Sequence, residues 1–450
     1  MNLGTLRLSL LSLSAALAAA MVAAVAALAV APAAARAQAA SVGASEEKPL
    51  PTEMVVIDID APENQAFRMG IVDFFGHGTH GPAAGGVLRN DFRLMPGYKV
   101  IDPRSITHDV AGEGLAVRPA TWAQYQANGI IKGQIAAEGG ANIRVDAKFF
   151  WLARGAEPAL SKTYRGDAKE LRAWMHDFAN EVLFVMTGVR GSFGTKITFA
   201  ERKAPGQKDV FCAQMDGTNV LQISRGKGVS MLPSFEPSGH VWFTKLMESG
   251  SFITRSGMQG KPVITGSGLT MGPIVCENRI FFTSTRDGNS EIYSASMTGT
   301  DVKRVTNHPA IDTSPTCGPN GKLAFVSARH GGPQIFVMNQ DGSDVKRVTY
   351  KGAHNQTPAW CTNGVNKNLI AFTGRDGTLD IFTVDIGTQE YTRLTQGQGM
   401  NKDPAFSPDC RMVAFVSDRR GAPGIYLSST RGFGQTKIIA GAGETVRWHP

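Results

Sequence analysis

The chain reads as two domains, mainly β: a small N-terminal α/β domain followed by a six-bladed β-propeller. Three observations predict this. A motif near forty residues long recurs, from "IFFTSTRDGNSEIYSASMTGTDVKRVT" (280–306) through "LAFVSARHGGPQIFVMNQDGSDVKRVT" (323–349) and "IAFTGRDGTLDIFTVDIGTQEYTRLT" (370–395) to "VAFVSDRRGAPGIYLSSTRGFGQTKII" (413–439). Within each copy, apolar residues fall in short runs between Gly- and Asp-rich turns, with no 3.6-residue period. Ahead of the copies lies a segment in which strand-like and helix-like patterns alternate. Repeats of this length, with four short strands in each, are the sequence mark of a propeller.

In chain order, the first element is a leader. Arg7 precedes a nearly unbroken run of Leu, Ala, Val and Ser from Leu8 to Val30, and then comes "APAAARAQAAS". Ala35-Arg36-Ala37 and Ala37-Gln38-Ala39 both fit the small-x-small cleavage pattern. Residues 1–37 are therefore expected to be a secretory signal peptide, cut after Ala37 or Ala39. The apolar run is also long enough for an uncleaved anchor. Either way the folded part is exported. Residues 38–53 are expected to form a flexible tail.

The α/β domain is predicted over 54–193. "MVVIDID" and "FRMGIVDFF" read as strands, "PAAGGVLRNDFRLM" and "PATWAQYQAN" as helices, and "GIIKGQIAA" as a strand. In "ANIRVDAKFFW" alternation puts Ile143, Val145, Ala147, Phe149 and Trp151 on one face. The clearest helix runs from Asp167 to Thr187. Asp167 and Glu170 resemble a capping box, Leu171, Trp174, Met175, Phe178, Val182 and Val185 form the apolar stripe, and Gly188 ends it. Helices on one sheet face account for this pattern.

The propeller is predicted over 194–450. Its units are marked by Phe199, Phe243, Phe282, Phe325, Phe372 and Phe415, about 39 to 47 residues apart. Arg-x-Gly turns follow four of these, at Arg286, Arg329, Arg375 and Arg419. A second strand is centred on Phe211, Phe252, Tyr293, Phe336, Phe382 or Tyr426. Turns such as Asp216-Gly217 and Asp341-Gly342 come next, where Asp-Gly suits two central residues at positive φ. A further strand precedes each phenylalanine after the first and carries Pro233, Pro273, Pro315, Pro358 or Pro404. The first unit lacks it, and "ETVRWHP" at the C-terminus has its pattern. The last strand is thus expected to close the ring and remove an open edge.

Composition narrows the function. Of 450 residues, 42% are hydrophobic and 19% charged, as in an ordinary globular protein. The net charge of +8 comes from scattered Lys and Arg, which suits a solvated surface and no nucleic acid partner. Five cysteines, Cys212, Cys276, Cys317, Cys361 and Cys410, leave at least one unpaired. They read as small buried hydrophobes, with disulfides possible but not favoured.

No Gly-x-Ser-x-Gly elbow, Walker loop or dinucleotide fingerprint occurs. His77 and His80 have no third ligand nearby, and the Asp-Gly turns lack the acidic ladder of a calcium loop. Asp58 and Asp60 share a strand face, read as solvent-facing. His308, His330 and His354 fall in propeller turns or loops. No catalytic residue, cofactor or metal is expected.

The stretch "LRAWMHDFANEVLFVMTGVRGSFGTKITF" (171–199) joins a helix with Leu-Arg and a His-containing segment to Thr-Gly, Gly-x-Phe and a first blade strand. With the preceding domain and six repeats it resembles the TolB family of the Tol–Pal cell-envelope system, from about Met54 to Pro450. The resemblance implies a non-enzymatic, monomeric periplasmic adaptor. It would capture the lipoprotein Pal at the propeller mouth, associate peripherally with the outer membrane through Pal, and engage TolA with its N-terminal segment. Its role would be outer-membrane integrity and invagination at cell division. The tail "QAASVGASEEKPLPTE" is longer than the family start.

By loop position the resemblance implies a Pal site of Ser230, Met231, Thr270, Asp312, Thr313, Asn355, Gln356, Thr357, Lys402, Asp403 and Glu444. Asp312 and Asp403 are expected exposed at the rim, and Asp216 in an outer-edge turn. The competing reading is an exported propeller enzyme or glycan-binding protein sharing only the repeats. A glycan site would show exposed aromatics on one face.

Overall fold

A computed structural model describes residues 66–449 apart from 364, 365, 422 and 442. The expected leader, the tail, the "MVVIDID" strand with Asp58 and Asp60, and Pro450 lie outside the described residues.

The N-terminal unit is built on a mixed sheet, ordered Tyr98–Val100, Phe67–Ile71, Gly129–Gly139, Asn142–Trp151, Leu160–Asp167. The first three strands pair in parallel and the rest antiparallel. The strand Leu160–Asp167 was not expected. It alternates half-buried with exposed residues, so its sequence carries little apolar signal. Ile143, Val145, Ala147, Phe149 and Trp151 are all buried, as alternation required. They pack with Leu88 and Phe92 of the helix His80–Leu94, and with Met175, Phe178 and Val182 of the helix Leu171–Thr187.

The expectation of helices on one face alone needs correcting. Trp122, on the short helix Pro119–Ala123, covers the opposite face with Val72, Val117, Ile130 and Phe150. That second cover explains why Phe149, Phe150 and Trp151 are buried in succession.

Asp167 caps a single 3-10 turn, Ala168–Glu170, by accepting from the Lys169 N–H at 3.0 Å. Glu170 makes no capping hydrogen bond, so only half of the expected box forms. Gly188 ends the helix at φ 72, a conformation that costs glycine little.

The rest is a β-propeller. Four sheets have four strands each, and a fifth has seven, including Glu444–Trp448 paired antiparallel with Lys196–Ala204. The C-terminal strand therefore completes the first repeat, as its sequence indicated. Phe199↔Phe211, Phe282↔Tyr293, Phe325↔Phe336, Phe372↔Phe382 and Phe415↔Tyr426 are register partners. Each buried phenylalanine contributes roughly 1.5–3 kcal/mol. In the second repeat the partner of Phe243 is Thr254, and the expected Phe252 sits opposite Lys245. That repeat also lacks the Arg turn.

The Arg turns have a physical role. Arg286 lies 5.5 Å from the Phe282 ring centroid and 4.9 Å from that of Tyr293. Arg329 and Arg419 cover Phe325/Phe336 and Phe415/Tyr426 in the same way. The Nε of each donates to a serine two residues back, Ser284, Ser327 or Ser417. Gly374 stands where that serine would be in the fifth repeat, and Arg375 runs on, exposed, into a hairpin. There Arg393 covers Phe382 at 5.4 Å instead.

The Asp-Gly turns also differ from expectation. Only Gly217 (φ 83) and Gly342 (φ 82) take positive φ, while Asp216 and Asp341 do not. A type I turn closed by a glycine bulge fits that pattern. Gly217 is further constrained, because a Cβ there would stand 2.0 Å from the Ile438 carbonyl oxygen.

The cysteine reading is overturned for four residues. Cys276–Cys317 and Cys361–Cys410 are disulfides, and Cys212 is free and buried. Cys276 and Cys317 end inner strands of adjacent repeats, whereas Cys361 follows the inner strand Asn355–Trp360 and Cys410 lies in the turn after Asn401–Phe406, with Cα atoms 5.6 and 5.8 Å apart in the two bridges.

The two units share a continuous apolar core that includes Phe92, Phe193, Phe199 and Met412. Polar contacts reinforce it. Arg172 pairs with Asp216, which also accepts from Asn90 at 3.3 Å, and the Asp409 N–H donates to Ser192 Oγ at 3.0 Å. Asp216 is thus an interdomain anchor with a buried side chain, not a free edge residue.

Candidate functional site at the propeller channel

Each inner strand carries the same irregularity. Its register against the next strand shifts at Met231/Ser234, Met271/Ile274, Thr313/Thr316, Gln356/Ala359, Lys402/Ala405 and Glu444/Arg447. Within each bulge one residue has positive φ: Leu232, Gly272, Ser314, Thr357, Asp403 and Thr445. In five of the six it directly precedes the proline, which offers no N–H to the ladder there. Bulge N–H groups find side chains instead. Gly272 donates to Thr244 Oγ1 at 2.9 Å, Asp403 to Thr373 Oγ1 at 3.1 Å, and Thr445 to Asp403 Oδ2 at 3.1 Å.

This geometry divides the eleven expected site residues. Met231, Gln356, Lys402 and Glu444, two positions before the proline or its equivalent, are half-buried and reachable. Ser230, Thr270, Asp312 and Asn355, one position earlier, are buried. Ser230 accepts from Lys245 Nζ at 3.1 Å, and Thr270 lies 3.3 Å from Ser284 Oγ. Thr313, Thr357 and Asp403 are buried too, with Thr357 on Thr373 Oγ1 at 2.6 Å. The expectation of an exposed acidic rim at Asp312 and Asp403 is therefore wrong. The bulge turns these side chains back between strands, where they hold the ring.

Asp312 meets Ser327 and pairs with Arg329 at 2.9 Å. Burial pushes its carboxyl up. The Ser327 and Arg329 contacts oppose this and the Glu291 charge adds to it, leaving the pKa at about 6. Glu291 is itself buried, and its Oε1 accepts from Arg304 at 2.9 Å and the His308 N–H at 2.7 Å. Its Oε2 has no hydrogen-bond partner among the described residues.

Sequence reasoning missed most of the channel wall. A cavity of about 40 Å3 is lined by Leu232, Pro233, Met271, Gly272, Ser314 and Thr445, with Arg447 beside them. Burial pulls the Arg447 pKa down and the Asp403 charge opposes it. Lys208 binds Glu444 at 2.5 Å. Burial pushes the Glu444 carboxyl up, but the Lys208 bond and charge outweigh it, with Lys402 and Arg202 adding to them. Aligning the repeats on their prolines would have exposed Arg447: the matching residues are Ser234, Ile274, Thr316, Ala359 and Ala405.

Other ionisable groups lie away from the channel. Lys132 and Glu113 form a buried pair, in which Lys132 also donates to the Ala116 carbonyl at 2.9 Å and Glu113 accepts from Trp122 Nε1 at 3.1 Å. Asp91 holds His176 Nδ1 at 2.8 Å under the domain interface. Burial raises the Asp91 pKa to about 6 against that hydrogen bond. His77 and His80 stack at 5.0 Å. Among the described residues no three metal-binding side chains converge, and no helix is long and apolar enough to cross a membrane.

Comparison with known proteins matches both units in order. The family profile described as "TolB amino-terminal domain" matches residues 55–157, and "TolB beta propeller domain" matches 184–371 and 365–447. A "Tol-Pal system protein TolB" of Anaeromyxobacter dehalogenans is 32% identical over 284 residues, 61% of this chain and 63% of that one. A "Protein TolB homolog" of Chlorobium luteolum is 32% identical over 171 residues, 37% of this chain and 39% of its own. The chain thus spans less than two thirds of the length of either relative. The crystal structure of TolB from Acinetobacter baumannii superposes with a TM-score of 0.73 at 21% identity, covering 86% of this chain and 97% of that one. At that identity the likeness is one of fold.

Proposed function

Because the chain belongs to the TolB family, we propose that it is a non-enzymatic periplasmic adaptor of the Tol–Pal system, with Pal as its partner at the channel mouth. The observation that carries this reading is the ring of bulges. It offers a concave socket with reachable polar side chains at Gln356, Lys402 and Glu444 beside two methionines, Met231 and Met271. Such a mixed rim suits a protein segment that brings its own hydrogen-bonding groups. TolA is assigned to the N-terminal segment, and the role to outer-membrane integrity and its invagination at division. The buried pairs Lys132–Glu113 and Asp91–His176 are structural in this reading, since covered groups cannot meet a substrate.

The same reading takes the propeller as six-bladed. The seven-stranded sheet divides into two blades, since only one parallel pair, Val229↔Lys208, joins Val229–Phe235 to Gln207–Gln214. Six matching bulges support that count. Domain limits of 54–193 and 194–450, after a signal peptide over 1–37 and a tail over 38–53, complete the proposal.

Capture from an envelope extract on the immobilised mature protein tests the reading. Pal recovered as the main partner is the expected result. Recovery of oligosaccharide without Pal would overturn it.

A further inference from the structure

Arg447 is the one charged residue at its position in the ring, and the framework does not use it. Its single hydrogen bond runs from Nη1 to the carbonyl of its neighbour Val446, at 2.9 Å. A guanidinium carries five N–H donors in a planar fork, so most of its capacity is unspent. No carboxylate of the described residues comes within ion-pair distance. Asp403 attracts it from further away, but Oδ2 of Asp403 already accepts the Thr445 N–H at 3.1 Å. Leu232, Pro233, Met271, Pro273, Ile274 and Pro315 make most of the wall around it apolar, and Thr283, Ser314 and Thr445 add only neutral hydroxyl groups. The group is half-buried in the channel wall. Enclosing a cation without a counter-ion is unfavourable, and its lowered pKa reflects that.

We infer that the channel is a receptor for a carboxylate: an acidic side chain or C-terminus on a protruding segment of the protein partner enters the mouth and is gripped by Arg447. This deepens the proposed function and rests on it for the partner. A planar carboxylate matches the guanidinium fork with two parallel hydrogen bonds, and the apolar wall strengthens them. At the mouth Lys402 adds positive charge, while Lys208 is engaged with Glu444. The incoming group therefore passes a cation on its way to the cavity. The five equivalent positions hold Ser234, Ile274, Thr316, Ala359 and Ala405. The ring thus forms without an arginine, and recognition is the use left for this one.

Two measurements on the full mature protein test the inference. In the first, the soluble domain of Pal is titrated onto wild type, Arg447→Gln and Arg447→Lys. Loss of a desolvated charge contact should weaken binding of the Gln variant about tenfold or more. The Lys variant should lose less, with the melting temperature of both near wild type. In the second, acetate and then sulfate are titrated while the Arg447 Nε–H resonance is followed. Acetate should shift it saturably, and sulfate more weakly. Pal binding equally to wild type and Arg447→Gln would overturn the inference and leave the adaptor reading standing. If wild type fails to bind Pal, the adaptor reading falls, and the acetate titration decides the inference alone. If Arg447→Gln does not fold, the same titration decides. An Nε–H resonance unmoved by acetate would overturn it.

Discussion

Asp312 differs from its equivalents in a way that can be measured. Asn355 donates to Gln334 Oε1 at 2.9 Å, and Asn401 donates to Asp380 Oδ1 at 3.0 Å. Asn401 also accepts from Ser417 at 2.7 Å and Arg419 at 3.3 Å, the counterparts of Ser327 and Arg329. At Asp312 an acid replaces the amide and faces Glu291, whose Oε2 is unpartnered. A carboxyl raised from 3.8 to about 6 on folding stabilises fully below the lower value. That contribution is lost as pH rises through the higher one. Asp312→Asn should therefore raise the melting temperature at pH 7 to 8, by about 1–2 kcal/mol of stability, with the gain vanishing below about pH 4. Thermal unfolding of both proteins across that range checks it, and Asp91, which shifts in the same direction, is common to both. Equal curves at every pH would mean that burial does not raise the Asp312 carboxyl. The sequence could not disclose this, because reading Asp312 as a rim acid required knowing which way a bulged strand points its side chain. Arg447, by contrast, stands out once the repeats are aligned on their prolines.

Strands and turns were the most readable level, since each repeat states its pattern several times. The closing strand, the aromatic pairs and the proline-marked inner strands all follow from spacing. Departures arose where a partner came from elsewhere in the chain. Leu160–Asp167 forms against Asn142–Trp151 with little apolar alternation of its own. The disulfides join residues at or just past inner strands one repeat apart, at separations of 41 and 49 residues. Cysteines at such intervals look like repeat-equivalent core positions until the repeats are wrapped into a ring. Closing loops of this length stabilises by about 2–4 kcal/mol per bridge. Reductant should therefore lower the melting temperature in a single protein that keeps its β-rich spectrum when cold. Thiol titration after unfolding should count one free cysteine without reductant and five with it. Five without reductant would exclude both bridges.

Over the whole molecule, closure and the domain junction decide stability together. Glu444–Trp448 holds the ring shut, and Val446 and Trp448 enter the same core as Phe92 and Met175. Deleting residues from Glu444 onward removes a strand, exposes two edges and opens that core. Several kcal/mol of a total of ~5–15 should be lost. An unchanged melting temperature in the truncated protein would refute closure by this strand. Opening of the ring should also disturb the N-terminal unit, because Arg172, Asn90 and Ser192 bind residues on the blades.

The six positive-φ positions have a wider consequence for how such a surface changes. Five are occupied by Leu, Ser, Thr, Asp and Thr, and only Gly272 is glycine. The backbone is thus held in its left-handed turn by the wrapping of the strands, whatever side chain it bears. Reachable side chains along this axis, such as Met231, Gln356 and Lys402, can be exchanged while the frame, held by buried neighbours such as Thr357 and Asp403, stays constant. Recognition and architecture are separately heritable here: a lineage can rewrite the partner preference of the pore one residue at a time, without passing through an unfolded intermediate.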